Sequence, residues 1–353
     1  MELFNQKNEF KKFNVTAIGM SAVLLLAACG EPEAEADVAA GETGGACTEE
    51  YNLKMSVTVS DSSTWYEAAE KLSTDIAEAT DDRITIDIFA NEQLSGGDSG
   101  KAVEGLAKGT IDLTFNSTII YSILDERFGV ASAPFLFNDL EEVDAVFNGE
   151  GGEMFEEILA EKGIHSLGFG QNGFRQLTNS VRPVQSPEDI EGLKIRIPGI
   201  AMYTDLYQEL GTNPQTMTFS EVFTSLQQGT IDGQENPIDV IHSAKLQEVQ
   251  DYITMWNYSY DPLVLGMNQD LYESMCEEDQ QLFDELGAEA AQFQLEQARL
   301  KEEEQIAELE AAGLEFYTPT EEELAQFQEV AQPIYDQYES VWGTELLNAF
   351  QGE

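Results

Sequence analysis

The chain is 353 residues long and sets 67 Asp and Glu against 17 Lys and Arg, a formal net charge of −50. Charge of this sign and size repels nucleic acid and anionic membrane surfaces and excludes both as partners. Self-repulsion so strong is tolerable mainly when screened, which points to a salty medium. With three Cys and two His in the whole sequence and no spaced Cys/His cluster, a zinc site has no support and no motif calls for a cofactor.

Lys7, Lys11 and Lys12 precede an apolar run from Val15 to Ala28 that ends Leu26-Ala27-Ala28-Cys29-Gly30. A basic stretch, a short apolar core and small residues before the cut make an export signal over 1–28, too short for a permanent membrane span. The Leu-Ala-Ala-Cys ending looks like a bacterial lipobox, which would put a lipid on Cys29. The alternative is a plain signal peptide with an incidental cysteine. Residues 29–50 are small, acidic and without apolar periodicity, a flexible tether that would leave the lipid as the sole membrane contact. Roughly 300 residues follow, enough for two α/β lobes or one large domain. Cys47 and Cys276 remain. In an exported setting they form one disulfide, stapling the start of the body to a helix start, or stay as two free thiols.

Strands and helices alternate along the body. Leu53–Ser60 and Arg83–Ala90 alternate apolar and polar residues, as half-buried strands do. Between them Ser62-Ser63-Thr64 opens a helix running to about Ala79. Further helices are expected near 99–108, 140–162, 200–210 and 220–228, the last capped by Ser220. Ile164–Gly170, Lys194–Ile197, Asp251–Asn257 and Pro262–Asn268 predict strands. Glu277 to about Ala312 is an unbroken helix of roughly 50 Å, long enough to cross more than one domain. The alternation predicts an α/β fold. One echo fits two similar lobes: Glu104–Asp112 and Thr224–Asp232 each end a helix on Gly, then enter a strand through Thr-Ile-Asp.

Several motifs fall away on context. Gly168-Phe169-Gly170-Gln171-Asn172-Gly173 satisfies the dinucleotide pattern, but no helix opens after it. Ser95–Ala102 misses the P-loop spacing. There is no G-x-S-x-G and no H-E-x-x-H, and acidic pairs such as Glu302–Glu304 and Glu321–Glu323 lie on polar helices. Nucleophilic and metal catalysis have no foothold, so the chain is not expected to be an enzyme.

What remains is a binding constellation. Past the export signal 14 Lys and Arg are left, and four of them (Arg175, Arg182, Lys194, Arg196) fall between positions 175 and 196. Arg suits a carboxylate because its planar fork donates two parallel charge-assisted hydrogen bonds. Arg196 sits mid-strand between Ile195 and Ile197, where an unpaired charge is costly. Arg175 and Asn236 offer further donors, and Phe219 an aromatic wall. Together they describe a pocket for a small acid.

Gly192-Leu193-Lys194-Ile195-Arg196-Ile197-Pro198, Met217-Thr218-Phe219-Ser220-Glu221-Val222-Phe223 and Asp232-Gly233-Gln234-Glu235-Asn236-Pro237 resemble the solute-binding subunits of tripartite ATP-independent periplasmic (TRAP) transporters, of the dicarboxylate-binding (DctP) type. The resemblance covers essentially all of 51–349. It implies a periplasmic-binding-protein-like fold of two α/β lobes, joined by crossing strands and a long helix, closing over an organic acid. Lobe I would comprise 51–172 plus about 262–300, and lobe II 173–261 plus about 301–349. It also implies that Arg196 forms the main carboxylate salt bridge, with Arg175 and Asn236 from the other two family motifs and with Asn172 and Phe219 lining the pocket. Sialic-acid members carry an arginine where this chain reads Phe115–Tyr121, which argues against that ligand. Asn116, Trp65, Tyr258 and Tyr260 would shape the far end, suiting a uronate or aldonate, with a C4-dicarboxylate or keto acid close behind. The implied partners are the small and large membrane permease subunits, and the implied location is periplasmic or cell-surface, on a lipid anchor. The competing readings are a ligand-sensing subunit and an exported sugar-acid enzyme.

Overall fold

The computed structural model describes residues 47–352. The export signal, Cys29 and the tether up to residue 46 lie outside them. Eleven strands are described: β1 (Tyr51–Val57), β2 (Ile84–Phe89), β3 (Leu113–Ser117), β4 (Ile164–Phe174), β5 (Gln176–Asn179), β6 (Ile195–Ile197), β7 (Gln215–Thr216), β8 (Gly233–Asn236), β9 (Tyr252–Thr254), β10 (Tyr260–Asn268) and β11 (Glu315–Tyr317). They form two sheets, ordered β2-β1-β3-β10-β4 and β11-β9-β5-β8-β6-β7. In the first, β1 runs parallel to β2 and β3, while β10 is antiparallel to β3 and β4. Helices return the chain between the parallel strands, as the alternation predicts.

Two crossings join the sheets. β4 ends at Phe174 and β5 begins at Gln176, so Arg175 is the step from one sheet to the other. The return runs from β9 into β10, and the two crossings are tied by the Arg175 amide donating to the Ser259 carbonyl at 2.8 Å. The helix Glu277–Ala311 runs beside both sheets. Its Phe283 and Ala290 join the core of the first lobe, and its Leu309 joins a core cluster of the second.

At the β4–β10 crossing a proline sets the geometry. Pro262 has no N–H to give the ladder, and the register shifts there: Asp261 faces Gly173 while Pro262 faces Gln171. Asn172 is the extra residue of a bulge, a feature that re-aims a side chain. The Gln171 backbone is completed by Gln294 of the long helix, whose amide accepts from its N–H at 2.7 Å and donates to its carbonyl at 2.8 Å.

Several expectations need correction. Residues 140–162 form two helices, Leu140–Phe147 and Glu150–Glu161, because Asn148 and Gly149 end the first. Ser220 caps no helix: it lies in a 3-10 turn, Phe219–Glu221, and Glu221 precedes the helix Val222–Gln227. The last helix, Thr344–Gln351, packs on the first lobe, with Phe350 4.7 Å from Phe155 and 5.7 Å from Phe147 between ring centres. That moves 344–349 out of the expected lobe II. The open question of the cysteines resolves to a bridge: Cys47 and Cys276 are disulfide-bonded, with Cα atoms 6.1 Å apart. Cys276 is the N-cap of the long helix, so the bridge ties the strand start to it. Among the described residues, no helix is long and apolar enough to cross a membrane.

Candidate functional site

The two echoed corners deliver matching residues to one cleft. Gly109 and Gly229 take left-handed backbone, with φ of 70° and 66°, which a side chain would disfavour. Asp112 then accepts from the Lys54 amide at 2.8 Å, and Asp232 accepts from the Lys194 amide at 2.9 Å. Each aspartate thereby locks its corner to a neighbouring strand. Four residues further on, β3 presents Asn116 and β8 presents Asn236, one from each sheet. Both line a cleft of about 430 Å³, mouth included.

Arg196 reaches the cleft from β6, whose three residues are all buried. It is 4% exposed. Its Nε and Nη2 donate to the Met217 carbonyl at 3.2 and 2.8 Å, and its guanidinium lies 5.8 Å from the Phe219 ring centre. No carboxylate among the described residues pairs with it. Burial pushes it down to about 10, with the Glu235 charge opposing and the nearby Arg175 adding to the effect. It remains charged at neutral pH, and the end of its fork at Nη1 is unused.

Arg175 is the opposite case. Its Nε and Nη2 both donate to the Glu235 carboxylate, Nη1 donates to Asp261 Oδ2 at 2.6 Å, and Nη2 donates to Asn236 Oδ1 at 3.0 Å. Glu235 and Asp261 are wholly buried. Burial pulls the Arg175 guanidinium down, but these two carboxylates hold it well above its ordinary value. Burial pushes the Asp261 carboxyl up, against the pull of Arg175 and of Ser117 and Asn172 hydrogen bonds.

The sequence profile of bacterial extracellular solute-binding proteins, family 7 (DctP), matches residues 55–341. The chain belongs to this family. Among solved structures it is similar to a TRAP periplasmic solute-binding protein from Ralstonia eutropha holding (S)-2-acetolactate, at 30% identity, a TM-score of 0.83 and coverage of 85% of this chain and 98% of that one. A sugar acid-binding protein from Advenella mimigardefordensis in complex with galactonate gives 27%, 0.83, 86% and 97%. A TRAP solute-binding protein from Sulfurospirillum deleyianum with bound succinate gives 27%, 0.81, 86% and 99%. Membership makes this DctP protein a solute-binding protein and not an enzyme.

Seven of the residues singled out in the sequence line the DctP cleft: Arg196, Arg175, Asn236, Asn172, Phe219, Asn116 and Trp65. Asn172 is turned inward by its bulge and donates to Asp261 at 2.6 Å. Asn116 accepts from the Ser117 amide at 2.9 Å and donates to the buried Glu92 at 3.1 Å. Tyr258 does not line the cleft. It lies behind Glu235, to which its hydroxyl donates at 2.6 Å. Tyr260 also turns away, into an aromatic cluster 5.4 Å from Phe174 and 5.9 Å from Phe137.

Sequence reasoning missed Glu235 and Asp261, the carboxylates that fix Arg175. Asp261 had a visible signal: it is a lone charge heading the apolar run Pro262–Met267. Glu92 was missed too. It is 2% exposed and accepts from Ser56 and Thr58 at 2.7 Å each. The lobes also touch beside the cleft-lining Phe219, with Ser220 donating to the Gly97 carbonyl at 3.0 Å.

Proposed function

We propose that this protein captures an organic acid by its carboxylate, which pairs with the fork of Arg196, and delivers it to the two membrane permease subunits of a TRAP transporter. The observation that carries the reading is a buried guanidinium that pairs with no carboxylate among the described residues. A charge removed from water without a partner is unfavourable unless a ligand completes it. Family membership supports the same reading, since relatives hold acetolactate, galactonate and succinate. In its supporting role Arg175 stiffens the site, because its own charge is already met by Glu235 and Asp261.

Asn116 and Asn236 orient the cargo from opposite lobes, and Trp65 and Phe219 wall it in. The cargo class spans uronates, aldonates and C4-dicarboxylates. Export by residues 1–28 and a lipid on Cys29 place the receptor outside the cytoplasm, held to a membrane. Thermal-shift screening of the mature protein against these acids tests the reading. Ligand at 100 times its dissociation constant adds about 2.7 kcal/mol of stability. No shift with any acid class, on folded protein, would refute it.

A further inference from the structure

The charge balance inside the cleft narrows the cargo further, given the organic-acid reading above. Arg175 has five N–H donors. Nε and Nη2 are committed to Glu235 and Asn236, and Nη1 gives one hydrogen to Asp261. It can offer a ligand at most one N–H, so it cannot fork a second carboxylate. Glu235 and Asp261 both pair with this one guanidinium, so its charge is already met before any ligand arrives. Asn172 adds a second, independent demand. Its Nδ2 points to Asp261, and its Oδ1 is buried without a partner. A carbonyl oxygen in that state is satisfied only by a donor. The Trp65 Nε1–H is likewise buried without a partner, and an oxygen that both donates and accepts can serve either group.

We infer that the cargo is a singly charged hydroxy acid: its one carboxylate meets Arg196, and a hydroxyl donates to Asn172 Oδ1 beside Asp261. Asp261 is then a specificity-determining residue that turns away a second carboxylate. An ionised carboxylate in that hydroxyl's place has no proton for Asn172 and would face Asp261 and Glu235 with no free guanidinium beside it.

Titration calorimetry on the mature protein compares acids that differ only at the terminal carbon: 4-hydroxybutyrate with succinate, D-erythronate with meso-tartrate, and D-gluconate with D-glucarate. The tightest monoacid is expected to bind at least 100-fold more tightly than its diacid. Asp261→Asn keeps the shape and an acceptor for Arg175, and should narrow that ratio below tenfold by gaining on the diacid. Asn172→Leu should weaken 4-hydroxybutyrate by at least tenfold and leave succinate, which has no hydroxyl, unchanged, which keeps the inference testable if Asp261→Asn does not fold. A diacid that binds the unaltered protein as tightly as its monoacid overturns the single-charge inference and leaves the Arg196 pairing standing. Failure of all six acids to bind at millimolar concentration overturns the organic-acid site itself, and the inference with it.

Discussion

Replacing Arg196 with methionine should weaken ligand binding while leaving the empty protein as stable as before, or more so. Burial pulls the guanidinium well below its ordinary value, to about 10. At about 1.4 kcal/mol per tenfold, that is about 3 kcal/mol of unfavourable burial in the unliganded protein. Methionine fills much of the same space and removes that cost. Against it stands the Met217 carbonyl, which loses both its donors at about 1–3 kcal/mol. The net change in unfolding free energy therefore lies between about zero and a gain of 2 kcal/mol. Binding moves the other way. A ligand carboxylate entering the cleft without its partner forfeits about 3–5 kcal/mol, a loss of more than 100-fold in affinity. Urea titration of the ligand-free protein, paired with calorimetry on the best acid, measures both. Destabilisation beyond about 2 kcal/mol with affinity kept within threefold would refute the reasoning and make Arg196 a structural residue.

Three further outcomes are expected. Because the empty site holds Arg196 near 10 and only its charged form pairs with a carboxylate, affinity should be flat from pH 7 to about 9 and fall as pH rises through 10. Binding then takes up protons, and calorimetry in buffers of different ionisation enthalpy would detect it; unchanged affinity at pH 10.5 on folded protein contradicts the pairing. Tyr258→Phe removes a donor from buried Glu235 and should cost about 1.5–3 kcal/mol of stability with affinity within threefold, whereas a tyrosine lining the cleft would shift affinity instead. Cys47→Ser opens a bridge spanning 229 residues and should lower unfolding free energy by up to about 5 kcal/mol, read by thermal melting with and without reductant.

Much of the site was legible because its signals are local. Arg196 stood out as a cation inside an apolar strand, and Asn236 followed from the family motif Asp232–Pro237. The long helix followed from an unbroken run of helix-forming residues, and the strands before residue 90 from their alternation. What stayed hidden depends on contacts far apart in sequence. Nothing near Asn172 shows that Pro262 will force a bulge there, or that Gln294 will complete the backbone beside it. Tyr258 and Tyr260 looked like pocket residues because aromatics near a polar site are common, yet only tertiary packing decides which way they face. Arg175 matched a family motif, but the two carboxylates that occupy it come from β8 and β10.

One contact between the lobes is modest, a serine hydroxyl on a glycine carbonyl between Ser220 and Gly97. Such a bond contributes only about 1 kcal/mol and carries no charge for salt to weaken. Closing brings together two halves of a chain with 67 acidic residues, and their mutual repulsion shrinks as ions are added. Dissolved salt therefore acts as a third party to capture, favouring the shut receptor where the surroundings are briny.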